Sequence, residues 1–227
     1  LNELPVRALL VRVNEREHVF SVVVHHIAAD GWSAAILAEE IGAAYAGRPG
    51  DLAEPVAQYG DFARWQRGRL TGDTLESLTA FWRAELDGAP LSLELPTDRP
   101  RPPRRRFAGA SVPFGVPGAL LIRIRALASA AGCTEFMVLS AAFGAMLSAY
   151  SGQRDLLFAT PVAGRPHPDV ERTVGSFANT VVLRADLSGA PTAREALART
   201  RRACLAAFAH QELPFEKLVD ALAPERD

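Results

Sequence analysis

The sequence predicts a mixed α/β (α+β) protein that folds in two lobes, and three observations carry that prediction. Short runs rich in β-branched residues predict strands. Longer segments with apolar residues three and four positions apart predict helices. Proline and arginine crowd residues 93–110, a composition that predicts a boundary between the lobes. A chain of 227 residues with 48% hydrophobic content can bury a core as one large domain or two small ones.

The first lobe is predicted to begin with a hairpin. Residues 6–13 and 18–24 are rich in β-branched side chains, and the polar stretch NERE lies between them. After Gly31, the spacing of apolar residues predicts a helix that ends just before Gly47. The predicted buried face of this helix consists of Ile36, Leu37, Ile41, Ala44 and Tyr45. The segments YGDFARWQRGRL and LESLTAFWRAEL predict two more helices, with their aromatic side chains packed inward.

The second lobe is predicted to open with a strand near residues 107–114. A helix over residues 119–131 follows, and then a nearly all-apolar helix that is ended by Gly152. The runs DLLFATPV and NTVVLRADL predict strands. Thr192 and Glu195 have the spacing of a capping box, which predicts the start of a further helix. The segment LPFEKLVDAL, with its proline in the first turn, predicts the last helix.

The balance of charges disfavours several classes of partner. The 25 basic and 26 acidic residues give a formal net charge of -1, which provides no general attraction to nucleic acid or an anionic membrane. No stretch of the sequence is long and apolar enough to span a bilayer. The two cysteines are too few for a disulfide framework and lack the spacing of metal ligands. A reducing compartment, the cytoplasm, is therefore expected.

The stretch VHHIAADGWS, residues 24–33, ends an apolar run with candidate catalytic side chains. Histidine titrates near neutrality and can accept a proton at physiological pH. Because neighbouring strand residues point to opposite faces, His25 and His26 are expected to face different surroundings. Asp30 has two interpretations, as the partner of a distant arginine or as a helix cap. Gly31 allows a ligand to approach the backbone closely.

From these residues alone, catalytic and structural interpretations of the histidines stay open. A metal site is disfavoured, because the adjacent histidines diverge and no third ligand lies nearby in the sequence. A serine hydrolase is disfavoured because no GxSxG elbow is present. Two acyl-transfer signatures stay open. His25 and Asp30 fit the H-x4-D pattern of glycerolipid acyltransferases, whereas His26 and Asp30 fit the HHxxxDG pattern of condensation enzymes.

Six segments in order decide between them. HHIAADGWS resembles the HHxxxDG signature of the condensation domains of nonribosomal peptide synthetases. The other segments that resemble motifs of this family are YGDFARWQR, LELPTDRPRP, SGQRDLLFATPVAGR, VGSFANTVVLR and HQELPFEKLV. Ser176, Ala178 and Glu212 depart from the commoner residues of those motifs, and none of these departures lies within HHxxxDG itself. The resemblance covers nearly the whole chain.

The resemblance implies two chloramphenicol-acetyltransferase-like lobes in a V-shaped pseudodimer, truncated here at both ends. Residues 1–98 would be the C-terminal part of the N-lobe with the HHxxxDG motif, and residues 99–227 the N-terminal part of the C-lobe. Together they would make one incomplete condensation domain. Expressed alone, this piece is expected to be poorly stable or inactive.

The resemblance also implies an activity. In such domains the amine of an acceptor aminoacyl thioester attacks a donor acyl or peptidyl thioester and forms a peptide bond. Both thioesters are carried on phosphopantetheine arms of partner carrier domains, so the expected partners are the donor and acceptor peptidyl carrier proteins and an adjacent adenylation domain. The domain itself is expected to bind no cofactor and no metal.

By the same resemblance, His26 and Gly31 are the candidate catalytic residues. His26 would act as a general base or as a group that positions the amine or stabilises the intermediate. Asp30 is expected to pair with Arg165 of the VAGR segment and to organise the histidine motif. His25 and Asn179 are expected to support the site structurally.

Three related functions are the alternatives. An epimerisation domain and a CoA-dependent acyltransferase of the same superfamily also carry HHxxxDG, but the FANT and HQELPFE segments favour condensation. A non-catalytic, condensation-like recruitment domain is disfavoured because the HHxxxDG motif is intact here.

Overall fold

The computed structural model describes residues 3–100, 104 and 109–222, and within them the chain has the predicted mixed α/β class. Its strands pair in two separate two-stranded sheets, β1 with β2 and β3 with β4. In chain order the elements are β1 (Val6–Arg12), β2 (His18–Val24), α1 (Gly31–Tyr45), α2 (Tyr59–Arg69), α3 (Gly72–Glu85), α4 (Gly118–Ala130), α5 (Glu135–Ser151), β3 (Asp155–Val162), β4 (Asn179–Asp186), α6 (Ala193–Ala209) and α7 (Phe215–Leu222).

Packing divides the described chain into two compact units. The first comprises the described residues within Leu1–Ala80, Pro161–Thr180 and Glu212–Phe215, and the second those within Phe81–Thr160, Val181–Gln211 and Glu216–Asp227. The first unit therefore takes residues from both sides of the segment rich in proline and arginine. The lobe boundary predicted between residues 98 and 99 is not the boundary between these two units, and it stays a prediction.

The predicted hairpin opens the first unit. β1 and β2 are antiparallel, with Val6 opposite Val24 and Arg12 opposite His18. Its apolar side chains lie on both faces of the ribbon, because successive residues of a strand alternate between faces. Several large hydrophobic residues of the hairpin are at least half exposed, among them Leu9 61%, Leu10 64%, Phe20 50% and Val23 65%. A two-stranded ribbon of this kind presents an apolar surface suited to association.

Local capping explains where α1 and α2 begin. The side chain of Asp30 accepts a hydrogen bond of 2.8 Å from the backbone N–H of Ser33 in the first turn of α1. The carboxylate of Asp61 accepts one of 2.9 Å from the N–H of Gln58 at the start of α2. Gly47, predicted to follow α1, takes a left-handed conformation with φ +72°, which a residue with a Cβ adopts at a cost.

In the second unit the predicted helix ends are confirmed. Thr192 and Glu195 form the capping box of α6, and Gly152 ends α5 with φ +74°. Every second residue of β4 is buried, which gives the strand an inner face of Val181, Leu183 and Ala185. A Cβ at Gly144 of α5 would lie 2.8 Å from the Cβ of Ala185, so this glycine allows α5 to pack closely against β4.

An arginine on β4 ties two parts of the second unit together. Arg184 donates to both carboxylate oxygens of Asp155 on β3, at 2.7 and 3.0 Å. It also donates to the backbone carbonyls of Glu85 and Asp87 at 3.0 Å, which lie at the C-terminal end of α3. The planar guanidinium thus satisfies the last carbonyl of α3, that of Glu85, and the carbonyl of Asp87 two residues beyond the helix.

Cys204 lies inside the second unit on α6 and has no exposed surface. Burial, with a smaller contribution from Cys133, raises the pKa of its thiol to about 11. The side chain therefore behaves as a small apolar group.

The structure differs from the sequence-based expectations at the predicted strand near residues 107–114 and on α1. Residues 107 and 108 of the predicted strand lie outside the described residues, and residues 109–114 form no strand. Phe114 is 89% exposed there, and proline and glycine on either side of it disfavour a ladder. On α1, Ile36 is buried as predicted, but Ile41 and Tyr45 are exposed, because periodicity identifies an apolar stripe and not the surface that covers it.

No single helix among the described residues has the length and apolar composition needed to cross a membrane. The pair α4 and α5 meets that requirement only when taken together, with a 105° bend between the two helices.

The exposed hairpin generates a testable prediction. In the purified 227-residue polypeptide, Leu10→Lys should reduce self-association without loss of folded structure, since its side chain is 64% exposed. Sedimentation velocity would measure the fraction of monomer. The matched control is Ile36→Lys, which places a charge at a buried position and should unfold the chain. Unchanged association in Leu10→Lys would contradict the role assigned to the hairpin.

Candidate active site

The two histidines lie in a tight turn directly after β2. The strand ends at Val24, and the N–H of Ala28 donates to the carbonyl of His25 at 2.9 Å. The N–H of His25 donates to the carbonyl of Pro5 at 2.7 Å, which fastens the start of the turn to the residue before β1. Strand alternation therefore does not govern the two side chains. The turn, rather than a strand, sets their directions.

The two imidazoles have different surroundings. The Nδ1 of His25 accepts a hydrogen bond of 3.1 Å from the N–H of Ile27, which stabilises the turn. The side chain of His26 is exposed, and no hydrogen bond to its ring is found among the described residues. His26 is thus available to a ligand, while His25 is engaged within its own loop. Both histidines are exposed, and the roles predicted for them from the sequence stay predictions.

Asp30 fixes the end of the histidine turn, and it satisfies both interpretations given from the sequence. Its Oδ1 accepts from the N–H of Ser33 at 2.8 Å and from Nη2 of Arg165 at 3.3 Å. Its Oδ2 accepts from the N–H groups of Phe177 and Ala178, at 3.0 and 3.2 Å. The carboxylate is therefore a helix cap and an arginine partner at once, and it also joins the GSFANT segment to α1.

The ionisation of Asp30 reflects this environment. Burial alone would raise the pKa of its carboxyl, but hydrogen bonds from Ser33 and Phe177 and the charge of Arg165 outweigh burial and hold the pKa below its ordinary value. Asp30 is consequently a carboxylate at physiological pH.

Arg165 is the residue on which these contacts converge. Its side chain is 3% exposed and that of Asp30 is 2% exposed, so the ion pair is buried. Besides Asp30, its guanidinium donates to the carbonyls of Val170 and Thr173 and to the hydroxyl of Ser33. The Nε is buried without a hydrogen-bond partner among the described residues. Only an arginine has the fork of donors that this pattern of acceptors requires.

Two aromatic rings enclose the guanidinium. Its central carbon lies 4.1 Å from the ring centre of Phe177 and 5.7 Å from that of Trp32. The indole N–H of Trp32 donates to the carbonyl of Glu171 at 2.9 Å, which holds this ring in place. Phe177 packs in turn against Phe62 and Tyr59, so the YGDF segment supports the ring that contacts Arg165.

Two glycines in the site are required by close backbone approaches. Gly164 has φ +63°, and a Cβ there would overlap the carbonyl oxygen of Phe177. A Cβ at Gly175 would overlap the ring of Tyr59, whose hydroxyl donates to the carbonyl of Ser176 at 3.0 Å. The glycines of VAGR and VGSF therefore let these segments pack against their neighbours.

Gly31 differs from both. A Cβ at Gly31 would meet no atom within 4 Å, and the backbone is not left-handed there. The space beside the residue is open, which leaves the predicted role of Gly31 in accommodating substrate as a prediction.

Asn179 supports a different part of the unit. Its amide nitrogen donates to the carbonyl of Leu213 at 2.7 Å, and its amide oxygen accepts from the N–H of Phe215 at 3.0 Å. The side chain thus holds the ELPF stretch of the HQELPFE segment against the start of β4.

Sequence reasoning missed one residue of the network. Ser33 is fully buried, and its hydroxyl contacts both Arg165 and Gly175. The signal available was its position three residues after the helix cap Asp30, which places the two side chains at the same turn.

The arrangement as a whole is an exposed histidine at the end of a braced turn. Among the described residues, no group of three or more histidine, cysteine, aspartate or glutamate side chains could hold a metal ion. The chemistry that the imidazole of His26 can supply is proton transfer and hydrogen bonding.

Known proteins share much of this sequence. The family model for the condensation domain matches residues 1–227. A linear gramicidin synthase of Brevibacillus parabrevis is 48% identical over 226 residues, which cover 97% of this chain and 4% of that protein. Malpibaldin synthetase of Mortierella alpina is 44% identical over 225 residues, which cover 97% of this chain and 4% of that protein. The chain therefore spans only a small part of these curated relatives.

Solved structures with the same fold include two with clear sequence similarity. The X-domain in its complex with OxyB from teicoplanin biosynthesis has a TM-score of 0.91 and 31% identity, over 100% of this chain and 52% of that one. AB3403, a four-domain nonribosomal peptide synthetase bound to AMP and glycine, has a TM-score of 0.85 and 29% identity, over 98% of this chain and 17% of that one.

Because Arg165 is buried in an ion pair and Arg172 is exposed, replacing them by lysine should affect stability differently. Arg165→Lys should destabilise the protein by about 3 kcal/mol, because lysine lacks the fork and leaves Asp30 and several carbonyls poorly paired. Arg172→Lys, at an exposed ion pair with Glu39, should leave the free energy of unfolding unchanged. Denaturant unfolding would measure both. Equal effects of the two substitutions would contradict the assignment of the brace to Arg165.

The lowered pKa of Asp30 predicts that the protein loses stability in acid. A depressed folded-state pKa contributes stability that is full above the ordinary aspartate pKa of about 3.9 and is lost as pH falls below it. Between about pH 5 and 2.5, the free energy of unfolding should therefore fall more steeply with decreasing pH in the native protein than in Asp30→Asn. An identical pH slope in the two proteins would refute this.

Proposed function

Because the chain belongs to the condensation domain family, we propose that it forms amide bonds in nonribosomal peptide synthesis. The observation that carries the proposal is the exposed His26 at the end of a turn whose other end is fixed by the buried pair of Asp30 and Arg165. An exposed imidazole beside a braced backbone suits a reaction in which one proton must leave an attacking amine.

The reaction joins two thioesters. The α-amine of an acceptor aminoacyl thioester attacks the carbonyl carbon of a donor acyl or peptidyl thioester. The new C–N bond forms, the C–S bond of the donor breaks, the donor arm leaves as a thiol, and the amine gives up a proton. Thioesters are already activated, so holding the two ends together supplies much of the acceleration.

His26 has two proposed modes of action at this amine. As a general base it would accept the proton, an effect of about 10²–10⁴-fold. As a positioning group, its ring nitrogen would accept a hydrogen bond from the amine or stabilise the charge of the intermediate. Gly31 is proposed to leave room for the substrate beside the turn, because nothing lies within 4 Å of its missing Cβ.

Four other residues of the predicted site are proposed to have structural roles only. Asp30 and Arg165 hold the turn, and His25 and Asn179 support their own segments through hydrogen bonds. None of these four is proposed to touch the reacting atoms.

The proposed partners follow from the substrates. They are a donor and an acceptor peptidyl carrier protein domain, whose phosphopantetheine arms bring the thioesters, and an adjacent adenylation domain in the same synthetase. The proposal includes no bound cofactor or metal, no nucleic acid, no membrane and a cytoplasmic location.

A second candidate function is favoured by one comparison. The TM-score of 0.91 to the X-domain, solved in complex with OxyB, supports a recruitment role in which the domain binds a tailoring enzyme. The intact HHIAADG segment and the exposed imidazole of His26 favour catalysis over this alternative.

The test uses the full-length protein that contains this chain, with carriers loaded with donor and acceptor thioesters. His26→Ala should lower amide formation by about 100-fold or more. His18→Ala, an exposed histidine of β2 in the same unit, is the matched control and should retain the native rate. Mass spectrometry of the carrier-bound products would measure both rates.

Three results would contradict the proposal. Full activity of His26→Ala would remove the catalytic role of this residue. Exchange of the α-carbon proton in deuterated water without any amide would indicate epimerisation instead. A native protein that makes no amide yet binds a tailoring enzyme would support recruitment.

A further inference from the structure

Ser33 is fully buried in the first turn of α1 and makes three hydrogen bonds through one hydroxyl. The O–H donates to the carbonyl of Gly175 at 2.8 Å. The oxygen accepts from the N–H of Gly175 at 3.0 Å and from Nη2 of Arg165 at 3.1 Å. A hydroxyl has one donor and two acceptor sites, so Ser33 uses its full capacity.

The contacts of Ser33 complement those of Asp30. Nη2 of Arg165 donates to both residues, at 3.3 Å to Asp30 Oδ1 and at 3.1 Å to Ser33 Oγ. The two side chains, three positions apart at one helix end, thus form a composite acceptor for a single nitrogen. Asp30 binds the backbone of Phe177 and Ala178, and Ser33 binds the backbone of Gly175. Between them they fix the VGSFAN segment to α1 at three points.

We propose that Ser33 is a positioning residue for the amide-forming reaction: its hydroxyl sets the register between the first turn of α1 and the VGSFAN segment, and through it the position of His26. This inference rests on the proposed function. Ser33 acts through Arg165 and Asp30 and does not touch the reacting atoms.

The consequence of losing the hydroxyl follows from the geometry. Gly175 would lose partners for both its N–H and its carbonyl, and Nη2 of Arg165 would keep only the longer bond to Asp30. Arg165 already has a buried Nε without a partner among the described residues, so a second unmet donor makes its present position less favourable. The first turn of α1 would shift to recover hydrogen bonds, and the histidine turn, which leads into Asp30, would shift with it.

The experiment compares two substitutions with a control in the full-length protein that contains this chain. Ser33→Ala removes the hydroxyl, and Ser33→Cys keeps a similar volume but is a weak donor and acceptor. Ser140→Ala removes a buried hydroxyl of α5, which belongs to the second unit and to no part of this network. Amide formation is measured per folded molecule, with the folded fraction taken from near-ultraviolet circular dichroism.

The expected result is a split between kcat and KM. Both Ser33 variants should lose kcat by about tenfold or more, with the KM for the acceptor carrier unchanged, because a displaced imidazole slows the chemical step and not carrier docking. Ser140→Ala should keep the native kcat. In an Arg165→Lys background, Ser33→Ala should add little further loss, because the two side chains act as one unit.

A structural role alone would give other results. Native kcat per folded molecule in Ser33→Ala or Ser33→Cys would overturn the inference. So would failure of both variants to fold, since Ser33 would then serve folding and not position. A native protein that forms no amide would overturn the proposed function itself, and hydrogen exchange at Gly175 would still report whether Ser33 holds that segment.

Discussion

The buried ion pair of Asp30 and Arg165 is the interaction on which the candidate site depends. Removing two charges from water is costly, and their attraction offsets that cost only when the geometry is good and the remaining polar atoms find partners. Here the carboxylate receives four donors and the guanidinium reaches four acceptors. Such a pair contributes less to net stability than to the choice of one arrangement, because any other arrangement leaves a charge buried and unmatched.

The same ion pair fixes the end of the short, exposed turn that carries His26. The turn that holds His26 is small and has few contacts of its own, and its far end is Asp30. Arg165 lies 135 residues further along the chain and is itself held by two carbonyls and two aromatic rings. The end of the turn at Asp30 is therefore fixed by a segment that is remote in the sequence. The glycines at 164 and 175 belong to the same constraint, because only a residue without Cβ allows the segments to come so close.

How much of this could be predicted from the sequence depended on the range of the interaction. The hairpin, the capping box of Thr192 and the glycine ends of α1 and α5 depend on residues that are close in the sequence, and all were predicted. The pairing of Asp30 with Arg165 came from family resemblance, since no local rule joins residues so far apart. Ser33 was missed because a serine inside a helix looks ordinary until its long-range partners are known. The exposure of Tyr45 was not foreseen for the same reason.

The concealment of Cys204 has a chemical consequence for a chain proposed to handle thioesters. A thiolate attacks thioesters readily, so a reactive cysteine could capture an acyl group from a carrier and leave the chain acylated on its own side chain. With no exposed surface and a pKa raised to about 11, Cys204 stays protonated and out of reach. In the proposed reaction, burial on α6 therefore keeps the thiol of Cys204 from competing with the acceptor amine for the acyl group.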